Sequence, residues 1–381
     1  MTAAKTCDVA VIGAGVFGAW TAWHLAKRGQ RVVLVDAYGP AHSRASSGGE
    51  SRIIRMGYGA DELYTRWSQR SLVQWKELFR ATNERLFEQT GVLWLARNGP
   101  RERQTAETLT RCEVPHYILN HADLAKRYPQ INLANIEFGI LEETSGVLLA
   151  RRAVATVVAD AQRAGAEYRL AQIRGVSASG KEITTFTGEP ISAGRFVFAC
   201  GAWLGKLFPE ILGNRIFPTR QEVFFFAIPA GDGRFAAPAL PTWLFQDDQV
   251  YGMPDIESRG LKIAFDHHGP PADPDTQSRF ASAEAAAEAS NYVAHRFPAL
   301  GGAPIVESRV CQYENTSSGD FLIDRHPLLE NVWFAGGGSG HGFKHGPAVG
   351  EYLAAQILDN TVAEPRFSLA TKKTVQHRAV Y

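Results

Sequence analysis

Apolar positions recur with different periods in different stretches of this chain, and those periods predict its elements. Residues 8–12 (DVAVI) are almost wholly apolar, as expected of a parallel strand covered on both faces. Glycines follow, and residues 17–28 (FGAWTAWHLAKR) carry small and apolar side chains at helical spacing, with Gly29 placed to end the helix. Residues 31–36 (RVVLVD) form a second buried strand. Together they predict one strand–helix–strand unit with a right-handed crossover.

Further along, residues 61–80 read as an amphipathic helix. Between 80 and 145, short strands such as GVLWLA alternate with polar helices, and residues 147–164 again have the pattern of a helix packed on the first unit. Residues 196–203 (FVFACGAW) read as a buried strand meeting a glycine turn. From 217 to 305 the pattern is antiparallel, with QEVFFFAI, YGMP and LKIAF as strands between Pro/Gly-rich loops, a platform suited to a substrate. The tail returns to the first pattern: NVWFAGGGSG is a strand entering a glycine turn, and residues 348–359 form an apolar-faced helix. The expected fold is α/β. A nucleotide-binding unit made of residues 1–80, 145–216 and 306–381 is interleaved with a mixed, largely antiparallel sheet unit made of residues 81–144 and 217–305.

A length of 381 residues agrees with two units. Lys plus Arg (40) balance Asp plus Glu (39), leaving no broad basic field for nucleic acid or an anionic membrane. No apolar run reaches the roughly 18 residues that a membrane span needs, and the opening MTAAKTCDVAVIG lacks a charged leader with a cleavage site. The final AVY matches no receptor-read address. Cys7, Cys112, Cys200 and Cys311 form no CxxC pair, so no zinc or dithiol motif is legible and a reducing compartment fits. These observations lead to the expectation of a cytoplasmic protein with no nucleic-acid, membrane or metal partner.

Gly13, Gly15 and Gly18 form GxGxxG between the first strand and its helix, and Asp36 closes the second strand. In this context the first glycine permits a tight turn, the second lets backbone approach a pyrophosphate, and the third lets helix and strand pack closely. The helix amino terminus then faces the anion. Asp36 can accept hydrogen bonds from a ribose, and its charge disfavours the 2′-phosphate of NADP. The motif indicates a Rossmann-type dinucleotide site and leaves NAD and FAD open.

Several separate blocks, in order, resemble the amine-oxidising flavoproteins that include monomeric sarcosine oxidase, N-methyltryptophan oxidase and pipecolate oxidase. They are VIGAGVFG, VDAYGP with SSGGESRIIR, TGVLWL, ACGAW, CQYENTSSGDFLIDRHP and GSGHGFKHGPAVG, and they span almost the whole chain. The resemblance implies FAD, with a small amino acid oxidised at the carbon next to nitrogen and oxygen reduced to hydrogen peroxide. By the same blocks, Val16, Phe17, Ser46, Ser47, Cys200 and Gly201 face the cofactor, as do Gly338, Gly340, His341 and Gly342. Cys311 matches a cysteine bonded through sulfur to the flavin ring. A lone cysteine is otherwise a small buried hydrophobe, and a thiolate near positive charge is the nucleophile such attachment needs.

Arg52 and Arg55 lie three apart in SRIIR, a spacing that also suits a surface pair. The resemblance implies that Arg55 takes the substrate carboxylate through two parallel hydrogen bonds, that Arg52 lies against the flavin, and that Lys344 is the second carboxylate contact, at the cofactor's edge. Lys262 would snorkel to the surface on its strand pattern alone. By resemblance it instead places an ammonium where oxygen is reduced. Tyr251 matches a residue lining the substrate cavity and equally suits cross-strand packing.

The chain departs from the sarcosine oxidases where they carry histidines, with Ser47 and Gly48 in one block and Asp266 four residues after Lys262. If Asp266 enters the cavity, its carboxylate suits a larger or more basic substrate; His267 and His268 are the alternatives. His345 reads as a packed helix-start residue. The expected activity is oxidation of a carboxylated secondary amine by a monomer, with a fructosyl amino acid or opine oxidase, or a dehydrogenase with another acceptor, as alternatives.

Overall fold

A computed structural model of the protein describes residues 7–97 and 99–376. The leader and AVY readings at the two ends concern residues 1–6 and 377–381, which lie outside the described residues.

The strand Cys7–Ile12 lies between the parallel strands Val32–Asp36 and Pro190–Phe198, as its almost wholly apolar pattern leads one to expect. Val332–Gly336 adds in parallel beyond Pro190–Phe198, and Glu167–Leu170 beyond Val32–Asp36, within an eight-stranded sheet. The helix Val16–Lys27 is apolar almost all round because other helices cover it. It packs against Ala150–Arg163 and Gly346–Asp359. Trp20 is wholly buried there, and a Cβ on Gly346 or Gly350 would press into the Trp20 backbone or ring. Removing such an indole costs about 3–5 kcal/mol.

A second eight-stranded sheet has the order Ile305–Asn315, Phe217–Phe226, Leu261–Phe265, Val250–Met253, Thr242–Phe245, Val92–Ala96, Phe138–Glu142, Tyr117–Asn120. It is antiparallel except where Thr242–Phe245 runs parallel to Val92–Ala96. Ile305–Asn315 crosses the boundary drawn at 306, since it pairs along its length with Phe217–Phe226 in this second sheet.

Two local readings are corrected. Residues 147 and 148 do not begin a helix: Gly146–Leu148 is a strand paired with Arg52–Ile54, and the helix begins at Ala150. Val147 and Leu148 are apolar enough to extend either pattern, and the pairing decides between them. The stretch from 217 to 305 is not antiparallel throughout, because Ala283–Arg296 is a helix whose first amides are capped by Ser282 Oγ, accepting from Ala285 N at 3.2 Å. No helix among the described residues is long and apolar enough to cross a membrane.

Candidate active site

After the first strand the chain turns through Gly13 at φ +101°, a conformation that favours glycine. A side chain there would also overlap the Ala199 carbonyl, and one on Gly18 would overlap the Gly13 carbonyl, so these glycines serve the turn and the helix packing. A Cβ on Gly15 meets only Ser47 Oγ, at 3.5 Å. Gly15 lines a cavity of about 430 Å³. Asp36 fixes the turn from the next strand: Oδ2 accepts from Ala14 N at 2.7 Å and Oδ1 from Tyr38 N at 2.8 Å and Gly39 N at 3.0 Å. It also lines the cavity. Ser47 Oγ accepts from Val16 N at 3.0 Å, binding the 46–48 segment to the helix start.

Gly13, Val16, Phe17, Ser46, Cys200 and Gly201 form part of the same cavity wall, and Gly338, Gly340 and Gly342 complete it from the carboxyl-terminal glycine turn. Two polar atoms in this wall, Ser46 Oγ and Glu314 Oε2, are buried with no hydrogen-bond partner. Orphaned polar atoms of this kind mark the place of a polar ligand. A glycine cradle, a helix amino terminus and these two atoms fit a dinucleotide such as FAD.

Arg52, Ser339, Gly340 and Phe343 also line a second cavity, of about 60 Å³, so the two spaces adjoin. Arg55, Tyr251, Asp266, His341 and Lys344 complete much of its wall. Arg55 is buried, lies over the rings of Tyr58 (4.4 Å) and Trp94 (4.8 Å), and donates to Gly57 O. Its segment is held by Glu142, whose carboxylate receives Met56 N (2.7 Å), Gly57 N (2.9 Å), Trp94 Nε1 (2.8 Å) and Ser145 Oγ (2.5 Å). A wholly buried carboxylate is tolerable only with such compensation.

Lys344 Nζ donates to Tyr58 Oη at 2.8 Å and His341 O at 2.9 Å, and burial, with Arg55 next, pushes its pKa well below the usual lysine range. Tyr58 Oη also lies 2.8 Å from His345 Nε2 and 3.3 Å from His341 Nδ1. His341 Nε2 faces Gly319 O at 3.0 Å, so Nε2 donates a ring hydrogen to that carbonyl. His345 is wholly buried, and that burial, with Lys344 next, pushes its pKa well below the usual histidine range. It belongs to the support of Lys344.

Lys262 does not snorkel: it is 3 % exposed, and Nζ donates to both Ser51 O and Ser51 Oγ at 3.0 Å. Burial, and then Arg52, push its pKa well below the ordinary range. Arg52 donates to Ser46 O at 2.7 Å and Ser51 O at 2.8 Å, and approaches Cys311 Sγ at 3.5 Å. Cys200 is a half-buried residue whose thiol donates to Ile12 O, and desolvation of that thiol pushes its pKa far up. Tyr251 lines the smaller cavity, its phenol raised to about 12 by burial. Of the three candidates after Lys262, Asp266 lines that cavity, with Oδ1 accepting from Tyr313 Oη at 3.1 Å. His267 is exposed, 4.0 Å from Glu288, and His268 contacts Gln376.

Glu142, Tyr58 and Glu314 escaped the sequence reading. A glutamate ending the apolar run FGILE was a usable signal for the first. The other two sit beside recognised motifs, but their partners lie far along the chain.

A dinucleotide cradle opening onto a cationic pocket defines a dinucleotide-dependent oxidoreductase. Residues 8–356 match the FAD dependent oxidoreductase family, and the chain belongs to it. The chain is 32% identical to the monomeric sarcosine oxidase of Streptomyces avermitilis over 371 residues, covering 94% of this chain and 96% of the relative. It is 32% identical to the human peroxisomal sarcosine oxidase (95% and 94% covered) and 31% identical to the N-methyl-L-tryptophan oxidase of Salmonella arizonae (95% and 96%). The fold is similar to the L-proline dehydrogenase of P. horikoshii, with a TM-score of 0.83, 23% identity and 96% and 97% coverage. A fructosamine oxidase of Aspergillus fumigatus gives 0.81, 20%, 97% and 92%.

Proposed function

We propose that this flavoenzyme oxidises a carboxylated secondary amine, an N-alkyl or cyclic imino acid, to an imine that water hydrolyses after release. The observation that carries this reading is the placement of Arg55 and Lys344 in a small cavity sharing Arg52, Gly340 and Phe343 with the cofactor cavity. Bound FAD supplies the acceptor for two electrons from the carbon next to nitrogen. Arg55 and Lys344 hold the carboxylate, the guanidinium through paired hydrogen bonds. Positive charge from Arg55 and Arg52 favours the neutral form of the substrate amine, the form that can be oxidised. Tyr58 and Glu142 act through others, orienting Lys344 and Arg55.

With FAD bound, molecular oxygen would take two electrons and two protons and leave as hydrogen peroxide, and the ammonium of Lys262 would assist by its charge. Because burial depresses Lys262, this assistance fades as pH rises through its lowered pKa. Lys262→Met slows flavin reoxidation more than its reduction. Cys311, with Arg52 against its sulfur, holds the cofactor covalently, and acid-precipitated protein retains its yellow colour. The enzyme acts as a monomer in the cytoplasm, and the name of the Streptomyces relative supports the monomer.

A second reading has a specific observation behind it. Asp266 is the one carboxylate among the residues lining the smaller cavity, and it favours a substrate with a further cationic or hydroxyl group, such as a fructosyl amino acid or an opine. The test is an anaerobic screen of N-methyl amino acids, cyclic imino acids, fructosyl amino acids and opines, read by bleaching of flavin absorbance. Bleaching by simple N-methyl or cyclic imino acids upholds the first reading; bleaching only by the larger compounds upholds the second. No bleaching by any of them contradicts both. Peroxide formed under air identifies oxygen as the acceptor.

A further inference from the structure

The strand Ile305–Asn315 carries a carboxyl that none of these steps uses. Glu314 is buried in the wall of the larger cavity. Its Oε1 accepts from Gly338 N at 3.3 Å, and its Oε2 has no hydrogen-bond partner. Glycines surround it: a Cβ on Gly201, Gly336 or Gly338 would lie 3.4 to 3.6 Å from a Glu314 carboxyl oxygen. Pro218 is its neighbour across the sheet.

Among the described residues no cation acts on this group. Burial pushes it up to about 7, opposed only by the backbone N–H groups of Gly338 and Gly337. The other titratable group at this point of the wall is the Cys200 thiol, which burial keeps protonated and on which both Asp36 and Glu314 act electrostatically. An ionised Glu314 would therefore be a buried negative charge beside a protonated thiol, in a cavity that also carries Asp36 and Asp275 and must hold the pyrophosphate of FAD, while the wall's cations Arg52, Arg174 and Lys206 are not among the groups acting on it. A neutral carboxyl is different, because it carries one O–H donor.

We propose that Glu314 binds the cofactor as a neutral carboxylic acid, donating its Oε2 hydrogen to a phosphate or polyol oxygen of FAD, so that the hold on FAD weakens as Glu314 ionises. The sign follows from linkage. FAD prefers the protonated group, so binding raises its pKa further. Above the pKa of the free site, binding requires proton uptake and affinity falls with rising pH.

A thioether at Cys311 would mask any change in affinity, so the test uses Cys311→Ala protein stripped of flavin and titrated with FAD from pH 6 to 9, read by quenching of flavin fluorescence. Affinity is expected to fall across the alkaline half of the range, by at most about tenfold per pH unit for one linked proton. The double variant Cys311→Ala/Glu314→Gln is expected to be flat, with affinity near that of the parent at pH 6. Glu314→Thr keeps a hydroxyl donor that does not ionise and takes the place of the amide if that variant fails to fold. Parallel pH dependence with and without Glu314 would overturn the proposal. So would a uniform loss of affinity at every pH in the Glu314 variant used, the mark of an ionised acceptor. Neither readout depends on turnover, so failure here leaves the substrate reading untouched.

Discussion

The two adjoining cavities are built from different materials. The larger brings glycines from three separate turns into its wall beside larger side chains, and the three glycines of one short motif divide the turn, the approach and the packing among themselves. The smaller carries charged side chains from distant segments in its wall, and these lean on other groups, Arg55 on the segment tied by Glu142 and Lys344 on Tyr58. Recognition of a long polar cofactor needs backbone shape, whereas recognition of a small charged substrate needs aimed charge. Changes to the first cavity should therefore be felt as folding and cofactor affinity, and changes to the second as catalysis.

Arg55→Met attacks the aimed charge directly, and kcat/KM is expected to fall by about 10²–10³, mostly through KM, as for loss of one partner of a buried charge pair. An unchanged flavin spectrum would keep the effect in the smaller cavity. Glu142→Gln leaves one amide oxygen for four donors and turns an NH2 toward two of them, and it should lower unfolding stability by about 2–3 kcal/mol while raising KM; denaturant titration with steady-state kinetics reads both. Gly13→Ala should cost about 2 kcal/mol from its positive φ and the Ala199 clash, whereas Gly15→Ala should cost less than about 1 kcal/mol of stability and act mainly on FAD affinity. Equal stability losses would break the distinction between the two glycines.

The smallest stepwise effect concerns pH. Lys344 has a folded pKa below its unfolded value near 10.5, so the unfolded chain binds more protons in that window and stability rises with pH, by up to about 1.4 kcal/mol per unit. Lys344→Met should remove this slope, so that its stability advantage at neutral pH narrows toward pH 10.5. A constant difference across the range would mean that Lys344 is not depressed.

This contrast also explains what could be read from the sequence. Gly13, Gly15, Gly18 and Asp36 act within one strand–helix–strand unit, so spacing alone exposed them. Arg52 and Arg55 were legible as a pair, but Glu142 stands more than eighty residues from the segment it holds. Residues 147 and 148 were misread because apolar spacing suits both the helix that follows and the strand beside Arg52–Ile54, and only the pairing settles it. The helix Ala283–Arg296 had its signal in Ser282 and an alanine-rich run, which the surrounding strands overshadowed. Asp266, His267 and His268 could not be told apart because they follow the end of Leu261–Phe265, where strand alternation no longer sets which side chain faces inward.

The central claim is that the smaller cavity selects its substrate through the carboxylate. The direct measurement is anaerobic flavin bleaching by an N-methyl amino acid and by the same amine lacking its carboxylate, each with unaltered and Arg55→Met protein. The account expects rapid bleaching of the unaltered protein by the acid alone, and an Arg55→Met protein that no longer favours the acid. Equal bleaching of the unaltered protein by both compounds would contradict it.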